Sequence, residues 1–380
     1  MKVLYILHTA QMHGSTISFL NMVKGLTGLG VDVSVILPED DKSPALPEAL
    51  GAAGISDVHY ARITNSWLPF LKDKSIKGCL SLASKYIKLR IKKALSYHAV
   101  LKIARAVRPD IIHTNVGVVQ EGYAVARKLH IPHVFHIREY QDDFRIIPSK
   151  ARFECMLKDS TTITITHLLQ SYFNLDREEK AFTIYNGIQS KDSICYSSEK
   201  KKEFLCASRV SLEKGIGDVI SAFGQFYRNH PDYRLVIAGD GEAWCMDLLR
   251  NHAQDCGCQD AVTFTGFVKD VPERMKTAKA LIVASYLEPF GRMTAEAVMN
   301  GCMVVGRDTG GTKEIMDAVG GALRFNDTEE LISCMETVAS MDKKEYEGII
   351  LPAQKKSADL FSTEQNIENI YSVYRRITRI

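Results

Sequence analysis

The sequence predicts an α/β protein whose two halves are each a doubly wound parallel sheet. Short apolar runs alternate with amphipathic helical segments along most of the chain, which is the pattern of parallel strands connected by helices. The chain has 380 residues, too long for one ordinary α/β domain and suited to two of about 150–200 residues. With 46% apolar and 24% charged residues, the composition is that of a globular protein and excludes a disordered or fibrous chain.

The first half opens with a strand–helix–strand unit. Residues 3–7 form a buried apolar run, residues 17–29 have the apolar spacing of a helix, and residues 31–37 form a second run. The same alternation predicts the further elements of this half, which are strands at 111–113, 133–137, 162–165 and 182–185 and a helix at 122–129. A turn at Asn186-Gly187 and the polar residues 189–202 then indicate a linker.

The second half repeats the pattern. Its predicted elements are strands at 204–207, 234–238, 262–265, 280–283 and 303–306 and a helix at about 216–227. Residues 363–380 form an aromatic-bearing helix, for which Ser362 or Thr363 is the N-cap. Because ligands of doubly wound sheets bind beyond the C-terminal ends of the strands, functional residues are expected in the loops that follow strands.

The cysteines and the lengths of the apolar stretches indicate in which compartment the protein is expected. Its nine cysteines are odd in number, and the closest pair, Cys256 and Cys258, has no partner pair at zinc-ligand spacing. The first apolar run is shorter than the core of a secretory signal, and no stretch approaches the roughly 18 apolar residues of a spanning helix. We therefore expect a cytoplasmic protein with reduced thiols, either free or peripheral on the inner face of the membrane.

Positive charge is concentrated in one region, although the net charge is only +3. Between Arg62 and Arg108 there are twelve Lys or Arg and one acid, Asp73. The basic stretch 67–93 begins with Trp67 and further apolar residues. Docking on anionic lipid, a solvated helix face and binding of an anionic acceptor all remain open. Nucleic acid is not an expected partner, because no nucleic-acid-binding module accompanies the charge.

The most informative motif is the segment 288–314. Glu288 and Glu296 bracket a turn at 289–291 and the start of a predicted helix, directly after the strand at 280–283. A helix N-terminus attracts anions through its backbone N–H groups and its dipole. Ionised carboxylates accept hydrogen bonds from sugar hydroxyls. Phosphate and sugar together indicate a nucleotide sugar.

Loops after the neighbouring strands carry residues of similar character. Arg209 and Lys214 follow the strand 204–207, where they are placed to bind a diphosphate or are ordinary residues of a solvated loop. Glycines that allow close approach of a ligand, or simply a turn, are Gly14, Gly239 and Gly266, and Phe267 and Val268 offer a surface for a planar base. The G-x-G-x-x-G fingerprint of a nicotinamide dehydrogenase is absent.

A polar cluster lies at the end of the predicted strand 133–137. It consists of His136, Arg138 and Glu139. Strand alternation places His136 and Arg138 on the same side of the sheet. Both are candidates for the ligand-binding edge, and a core position is the alternative for His136.

These loops in this order resemble the retaining glycosyltransferases of family 4, also described as glycosyl transferases group 1, which have the GT-B fold of two Rossmann-like domains. Glu288 and Glu296, with seven residues between them, look like the E-x7-E signature of that family. Arg209 and Lys214 match its diphosphate-binding cations, and Asn186-Gly187 matches the dipeptide before its linker.

The resemblance implies a domain division and a set of roles. The N-terminal acceptor-binding domain would span 1–188, the donor-binding domain 203–361, and a helix at 362–380 would cross back onto the N-terminal domain. Glu288 would contact hydroxyls of the donor sugar and Glu296 the nucleotide ribose. The remaining donor-binding roles would fall to the backbone N–H groups of Phe290, Gly291 and Arg292 for sugar and phosphate, to residues 266–268 for the base, to Gly239, and to Gly14 for the diphosphate.

Three departures from the family pattern bear on these roles. His13-Gly14 stands where the family often has Gly-Gly, and Arg292 replaces an apolar residue. The family histidine near the donor sugar aligns with either His136 or Arg138, so the catalytic set is one of these together with Glu288. A neutral imidazole and a fixed cation would act differently at that position.

The function implied is retaining transfer of a hexose or N-acetylhexosamine from a nucleotide-diphosphate sugar to a glycan or lipid-linked acceptor, in cell-surface polysaccharide assembly. The family needs no divalent metal, and the chain has no Asp-x-Asp motif to hold one. The alternatives are a nucleotide-sugar epimerase on the same fold and a non-catalytic two-domain sugar-binding protein.

Overall fold

The computed structural model describes residues 1–64, 75–140 and 150–378. It divides into two compact units, which are considered one at a time below. Unit 1 comprises Met1–Gly187 and the chain from Asn366 onward, and unit 2 comprises Ile188–Gln365. The strands predicted for the two halves lie in different units, so each half folds around its own sheet.

The described part of unit 1 contains a parallel sheet with the strand order β3-β2-β1-β4-β5-β6-β7. Its strands are β1 Lys2–Ile6, β2 Asp32–Pro38, β3 Val58–Ala61, β4 Ile111–Thr114, β5 His133–Ile137, β6 Thr161–Thr164 and β7 Ala181–Thr183. Its helices are α1 Gly14–Gly28, α2 Ala45–Ala52, α3 Ile76–Val107, α4 Glu121–Leu129, α5 Lys150–Asp159 and α6 His167–Tyr172. Helices cover both faces of this sheet, which explains why β1 is an unbroken apolar run.

Unit 2 contains a second parallel sheet, with the strand order β10-β9-β8-β11-β12-β13. Its strands are β8 Glu203–Ala207, β9 Arg234–Ala238, β10 Val262–Gly266, β11 Ala280–Val283, β12 Met303–Arg307 and β13 Ala322–Phe325. Its helices are α7 Ile216–Tyr227, α8 Ala243–Asp255, α9 Val271–Thr277, α10 Arg292–Met299, α11 Gly310–Val319, α12 Thr328–Ser340 and α13 Lys343–Phe361. The predicted fold class, a doubly wound parallel sheet in each half, is confirmed.

The last helix, α14 (Thr363–Thr378), begins in unit 2 and belongs to unit 1 from Asn366 onward. The hydroxyl of Ser362 accepts a hydrogen bond from the N–H of Gln365 at 3.3 Å, as expected of an N-cap. On unit 1, the apolar face of α14 buries Ile370, Val373 and Tyr374 against the core around β1. The helix is thereby fixed to the first strand of the chain.

The strand order of each sheet reverses at one place, between β1 and β4 in unit 1 and between β8 and β11 in unit 2. Adjacent loops leave the sheet in opposite directions at such a point and open a crevice at the C-terminal edge. The loops after β8 and β11 carry Lys214 and Glu288, and the loop after β1 leads to Gly14. The topology therefore positions predicted site residues beside the crevices.

No helix in the described ranges is both long enough and apolar enough to cross a membrane.

Candidate active site

The centre of the site in unit 2 is an ion pair between residues 74 positions apart. The ammonium Nζ of Lys214 lies 2.5 Å from Oε1 of Glu288, and each side chain is 21% exposed. Lys214 ends a short 3₁₀ turn after β8, and the next residue, Gly215, has φ +65°. A Cβ on Gly215 would lie 3.0 Å from the carbonyl carbon of Ala284 and closer to its oxygen, so only glycine lets this turn pack against the end of β11. That packing brings the cation to the carboxylate.

The loop that carries Glu288 is clamped onto the start of α11. The carbonyl oxygen of Glu288 accepts a hydrogen bond from the N–H of Gly311 at 2.7 Å. A Cβ on Gly311 would lie 2.6 Å from Cα of Phe290, so the two backbones are in direct contact. Gly291, with φ +81°, then begins α10. The loop therefore fixes both the Glu288 side chain and the N-terminus of α10, where backbone N–H groups have no partner within the helix.

Glu296 lies one helical turn beyond Arg292 on α10. Its carboxylate is 14% exposed and lies 3.7 Å from Nε of Arg292. Burial raises the pKa of Glu296 above the ordinary value of 4.5, and the Arg292 charge opposes this shift. In the part of the chain that the structure describes, the buried hydroxyls of Thr294 and Thr312 have no hydrogen-bond partner. Hydroxyls of this kind can donate to phosphate or sugar oxygens. Thr312 lies in a glycine turn that the sequence offers either as a phosphate or sugar loop or as a simple turn, whereas the sequence analysis did not identify Thr294.

Arg209 is exposed and paired with its own loop. Its Nη2 atom lies 2.8 Å from Oε1 of Glu213, and the two side chains are 73% and 61% exposed. A surface pair of this kind contributes little to stability, about 0–1 kcal/mol. The guanidinium can therefore exchange Glu213 for a phosphate group at small cost.

The glycine loops after β9 and β10 meet each other. The N–H of Gly239 donates to the carbonyl oxygen of Gly266 at 2.9 Å. Beside them, Oδ1 of Asp240 accepts from the N–H of Phe267 at 3.0 Å. The ring of Phe267 is 71% exposed and Val268 is half-buried. Phe267 and Val268 therefore present an apolar surface beside these loops, and Asp240 holds the backbone of Phe267 in place.

In unit 1, Arg138 is a buried cation that joins three segments. Its Nε donates to Oδ1 of Asn115 at 3.1 Å, its Nη1 to Oδ1 of Asn186 at 2.5 Å, and its Nη2 lies 3.3 Å from Nδ1 of His136. Burial lowers the pKa of Arg138 to about 10, with Glu139 opposing the shift, so the guanidinium stays charged at neutral pH. Burial first, and then the neighbouring Arg138 charge, lower the pKa of His136 well below 6.5. His136 is therefore a neutral, fully buried imidazole, and Arg138 is the charged group at the strand end.

A chain of polar side chains continues from His136 to the C-terminal helix. The rings of His136 and His113 have centroids 5.4 Å apart. Nδ1 of His113 lies 2.5 Å from the hydroxyl of Tyr374, which in turn lies 2.9 Å from the hydroxyl of Tyr5. All four side chains are completely buried. Sequence spacing could not reveal this chain, because Tyr5 and Tyr374 are 369 residues apart.

Gly14 is the first residue of α1, with His13 as the N-cap. A Cβ at Gly14 would meet no heavy atom within 4 Å. The protein itself therefore does not require glycine there, although a ligand packed against the backbone would. Gly14, His136 and Arg138 belong to unit 1, and the other predicted site residues lie together at one edge of the unit 2 sheet.

Comparison with known proteins gives a family match for part of this chain. The family model described as glycosyl transferases group 1 matches residues 191–344, which include the loops after β8 to β12. This segment of the chain is therefore similar to the glycosyl transferases group 1 family. The chain is 24% identical over 398 aligned positions to the alpha-monoglucosyldiacylglycerol synthase of Acholeplasma laidlawii, covering 94% of this chain and 91% of the relative. It is 25% identical over 282 positions to the synthase of the same name from Streptococcus pneumoniae, covering 65% and 63%.

Solved structures show the fold of this chain. HepE from Anabaena, solved in complex with UDP, aligns with a TM-score of 0.78 at 20% identity and covers 100% of both chains. The lipopolysaccharide outer core galactosyltransferase WaaB aligns with a TM-score of 0.71 at 14% identity, again over 100% of both chains. The fold is GT-B, with two Rossmann-like domains.

Proposed function

We propose that this glycosyltransferase moves a hexose or N-acetylhexosamine, with retention, from a nucleotide-diphosphate sugar to a glycan or lipid-linked acceptor in cell-surface polysaccharide assembly. The observation that carries the proposal is the pair Lys214–Glu288 at the strand-order reversal of unit 2. One partner is a cation suited to a diphosphate, and the other is a carboxylate suited to sugar hydroxyls. The pair therefore offers one group for the diphosphate and one for the sugar of a nucleotide sugar.

Donor binding would exchange partners within this pair. When the diphosphate takes the Lys214 ammonium, the Glu288 carboxylate loses its cation and becomes an acceptor for hydroxyls of the sugar. Arg209 would leave Glu213 in the same way, and the N-terminus of α10 would add its dipole. These groups lie where negative charge grows as the diphosphate departs, which is commonly the largest catalytic contribution. No divalent metal is part of the proposal, because the two cations supply this charge.

The remaining roles follow from position. Glu296, on α10, would bind the ribose, and the exposed face formed by Phe267 and Val268 would take the base. Arg138 is preferred to His136 as the group that acts at the donor sugar. It lies at the end of β5 with its charge retained, whereas His136 is enclosed by the sheet and neutral.

A thermal-shift screen against nucleoside diphosphates and nucleotide sugars tests donor binding, and UDP and UDP-glucose belong in it because HepE was solved with them. Transfer should then fall by about 10²-fold or more in Lys214→Met and in Glu288→Gln, since each removes a charged group from the site. The matched control is Lys276→Met, which breaks another Lys–Glu pair of unit 2, at 2.7 Å from Glu273. Full activity in both site variants would refute the assignment. Interconversion of the donor sugar without an acceptor would indicate an epimerase instead.

We further propose that α3 lies on an anionic membrane surface, where a lipid-linked acceptor would be found. Four apolar side chains of α3, Leu80, Ile87, Ile91 and Leu95, are 67%, 61%, 55% and 46% exposed. At 100° per residue they fall within about 80° of the helix circumference. Lysines 85, 88 and 92 lie together along one border of this face, so the helix has an apolar face with a basic border, as interfacial helices have. Residues 67–74 of the predicted basic stretch lie outside the described residues.

The membrane proposal is supported by the names of the two synthases, which describe a glucosyldiacylglycerol product. Co-sedimentation with phosphatidylglycerol vesicles, compared with phosphatidylcholine vesicles, measures the binding. Ile87→Asp with Ile91→Asp should abolish it, whereas Leu248→Asp, at a 50% exposed position of α8, should not. Equal binding by all three proteins, or none by the parent, would contradict the proposal.

A further inference from the structure

A cavity of about 460 Å³ lies in unit 1 between α3, α4 and α5. Four cations line it: Arg90 and Lys93 from α3, Arg127 from α4 and Arg152 from α5. Its volume is in the range of small-molecule sites. Ala124 and Met156 give it an apolar wall, so it has room for an organic group beside the charged one.

The one acid among the described lining residues, Glu121, is already engaged by neutral donors. Its Oε1 accepts from the N–H of Thr64 at 3.1 Å and from the hydroxyl of Ser96 at 2.7 Å, and its Oε2 accepts from the N–H of Gln120 at 3.2 Å. The carboxylate is buried. Glu121 therefore anchors α3 and the preceding chain to the start of α4, and its capacity to balance the cations is limited.

Lys93 is the most informative of the cations. Within the described ranges its ammonium makes no hydrogen bond or ion pair. Burial lowers the pKa of Lys93, Glu121 opposes this, and the like charges of Arg152 and Arg90 lower the pKa further. A half-buried ammonium held near two guanidinium groups is unfavourable until an anion joins it. Arg127 lies 3.8 Å from Asp159, so the site's requirement for an anion is greatest at Lys93.

We propose that this cavity binds the phosphate group of a phosphorylated ligand, either a lipid headgroup or a soluble phosphate ester. A phosphate has three or four oxygens for several donors, guanidinium groups bind it through paired N–H groups, and lysine binds it as a point charge. The cavity belongs to unit 1, and the cations proposed for the donor diphosphate belong to unit 2. The inference does not depend on the proposed transfer reaction.

Calorimetric titration with sn-glycerol 3-phosphate, and sedimentation with phosphatidylcholine vesicles with and without phosphatidic acid, test the site. Lys93→Met and Arg152→Met should each weaken binding at least about tenfold, the loss of one charge-assisted hydrogen bond. Lys102→Met, an exposed lysine of α3 outside the cavity lining, is the matched control. Lys214→Met reports on phosphate bound in unit 2. Both of these variants should bind as the parent does.

The melting temperature without phosphate separates a binding role from a structural one. Lys93→Met should melt at or above the parent, because it removes a half-buried charge that its neighbours repel. A structural lysine would instead give a clear fall. If Lys93→Met and Arg152→Met weaken the binding of glycerol 3-phosphate, the ligand is a soluble phosphate ester. If they weaken only the binding of phosphatidic acid vesicles, the ligand is a lipid headgroup. Equal affinity in the parent, Lys93→Met and Arg152→Met, no binding in either format, or a loss confined to Lys214→Met would overturn the proposal.

Discussion

Gly311→Ala adds one methyl group at the contact that holds the Glu288 loop. The new Cβ would lie 2.6 Å from Cα of Phe290 and closer to its carbonyl group. Carbon atoms in van der Waals contact are about 3.5–4.0 Å apart, so the backbones must separate by about 1 Å. The obstacle is main chain, which cannot rotate away as a side chain can. The 2.7 Å hydrogen bond from Gly311 to Glu288 lies in the same contact and must lengthen or break.

The cost follows from that displacement. Overpacking of this size costs about 1–3 kcal/mol. In a unit of this size, each kcal/mol lowers the melting temperature by about 2–4 °C, so a fall of roughly 3–10 °C is expected for unit 2. Because the loop carries Glu288 and the start of α10, affinity for the donor nucleotide should fall about tenfold or more, even at temperatures where the unit is folded.

Differential scanning calorimetry and titration with the best nucleoside diphosphate from the screen measure both effects. The matched control is Gly217→Ala in α7, where a Cβ meets nothing within 4 Å. That change should stabilise the helix by about 0.5–1 kcal/mol and leave binding unchanged. If Gly311→Ala melts with the parent and binds nucleotide equally well, the loop is not held by this contact and the reasoning fails.

Three further outcomes are expected. Because the pKa of Glu296 is raised in the folded protein, its carboxyl group loses a proton at lower pH in the unfolded chain than in the folded protein. The parent therefore loses stability as the pH rises above 4.5, and the melting temperature of Glu296→Gln minus that of the parent should increase over the same range. A difference that does not change with pH would contradict this. Tyr374→Phe should cost about 1–3 kcal/mol in urea unfolding, because Tyr5 and His113 lose their shared partner, whereas Tyr371→Phe on the same helix should cost under about 0.5 kcal/mol. Arg138→Lys should lower kcat about 10²-fold, since an ammonium cannot span Asn115 and Asn186, and His136→Gln should lower kcat much less; the reverse order would assign the role to His136.

The fold was largely readable from the sequence because most strands of both sheets are buried on two faces. A strand such as 303–307 must then be an apolar run, and such runs stand out between polar loops. The strands not predicted, β3 and β13, lie at the outer edges of their sheets. Their segments, VHYA and ALRF, are partly exposed and include His59 and Arg324. An edge strand needs no apolar run, since only part of its surface is covered, and so it leaves little pattern in the sequence.

Residue types at the strand ends were also determined by the sequence. It showed that cations, carboxylates and glycines follow β8 to β12, and that a histidine and an arginine lie at the end of β5. It could not say which of them meet, because a contact such as that between Lys214 and Glu288 depends on strand order, and strand order is set by how the helices pack the strands together.

Tertiary structure therefore decided the pairings and the charge states. It paired Lys214 with Glu288 and Arg209 with Glu213. It also left Arg138 charged and His136 neutral, although both are buried. It also assembled the cavity around Lys93 from three successive helices, α3, α4 and α5. The physical reason is that hydrophobic periodicity is local and survives in a single sequence, whereas ion pairing and desolvation depend on neighbours brought together only by the folded chain.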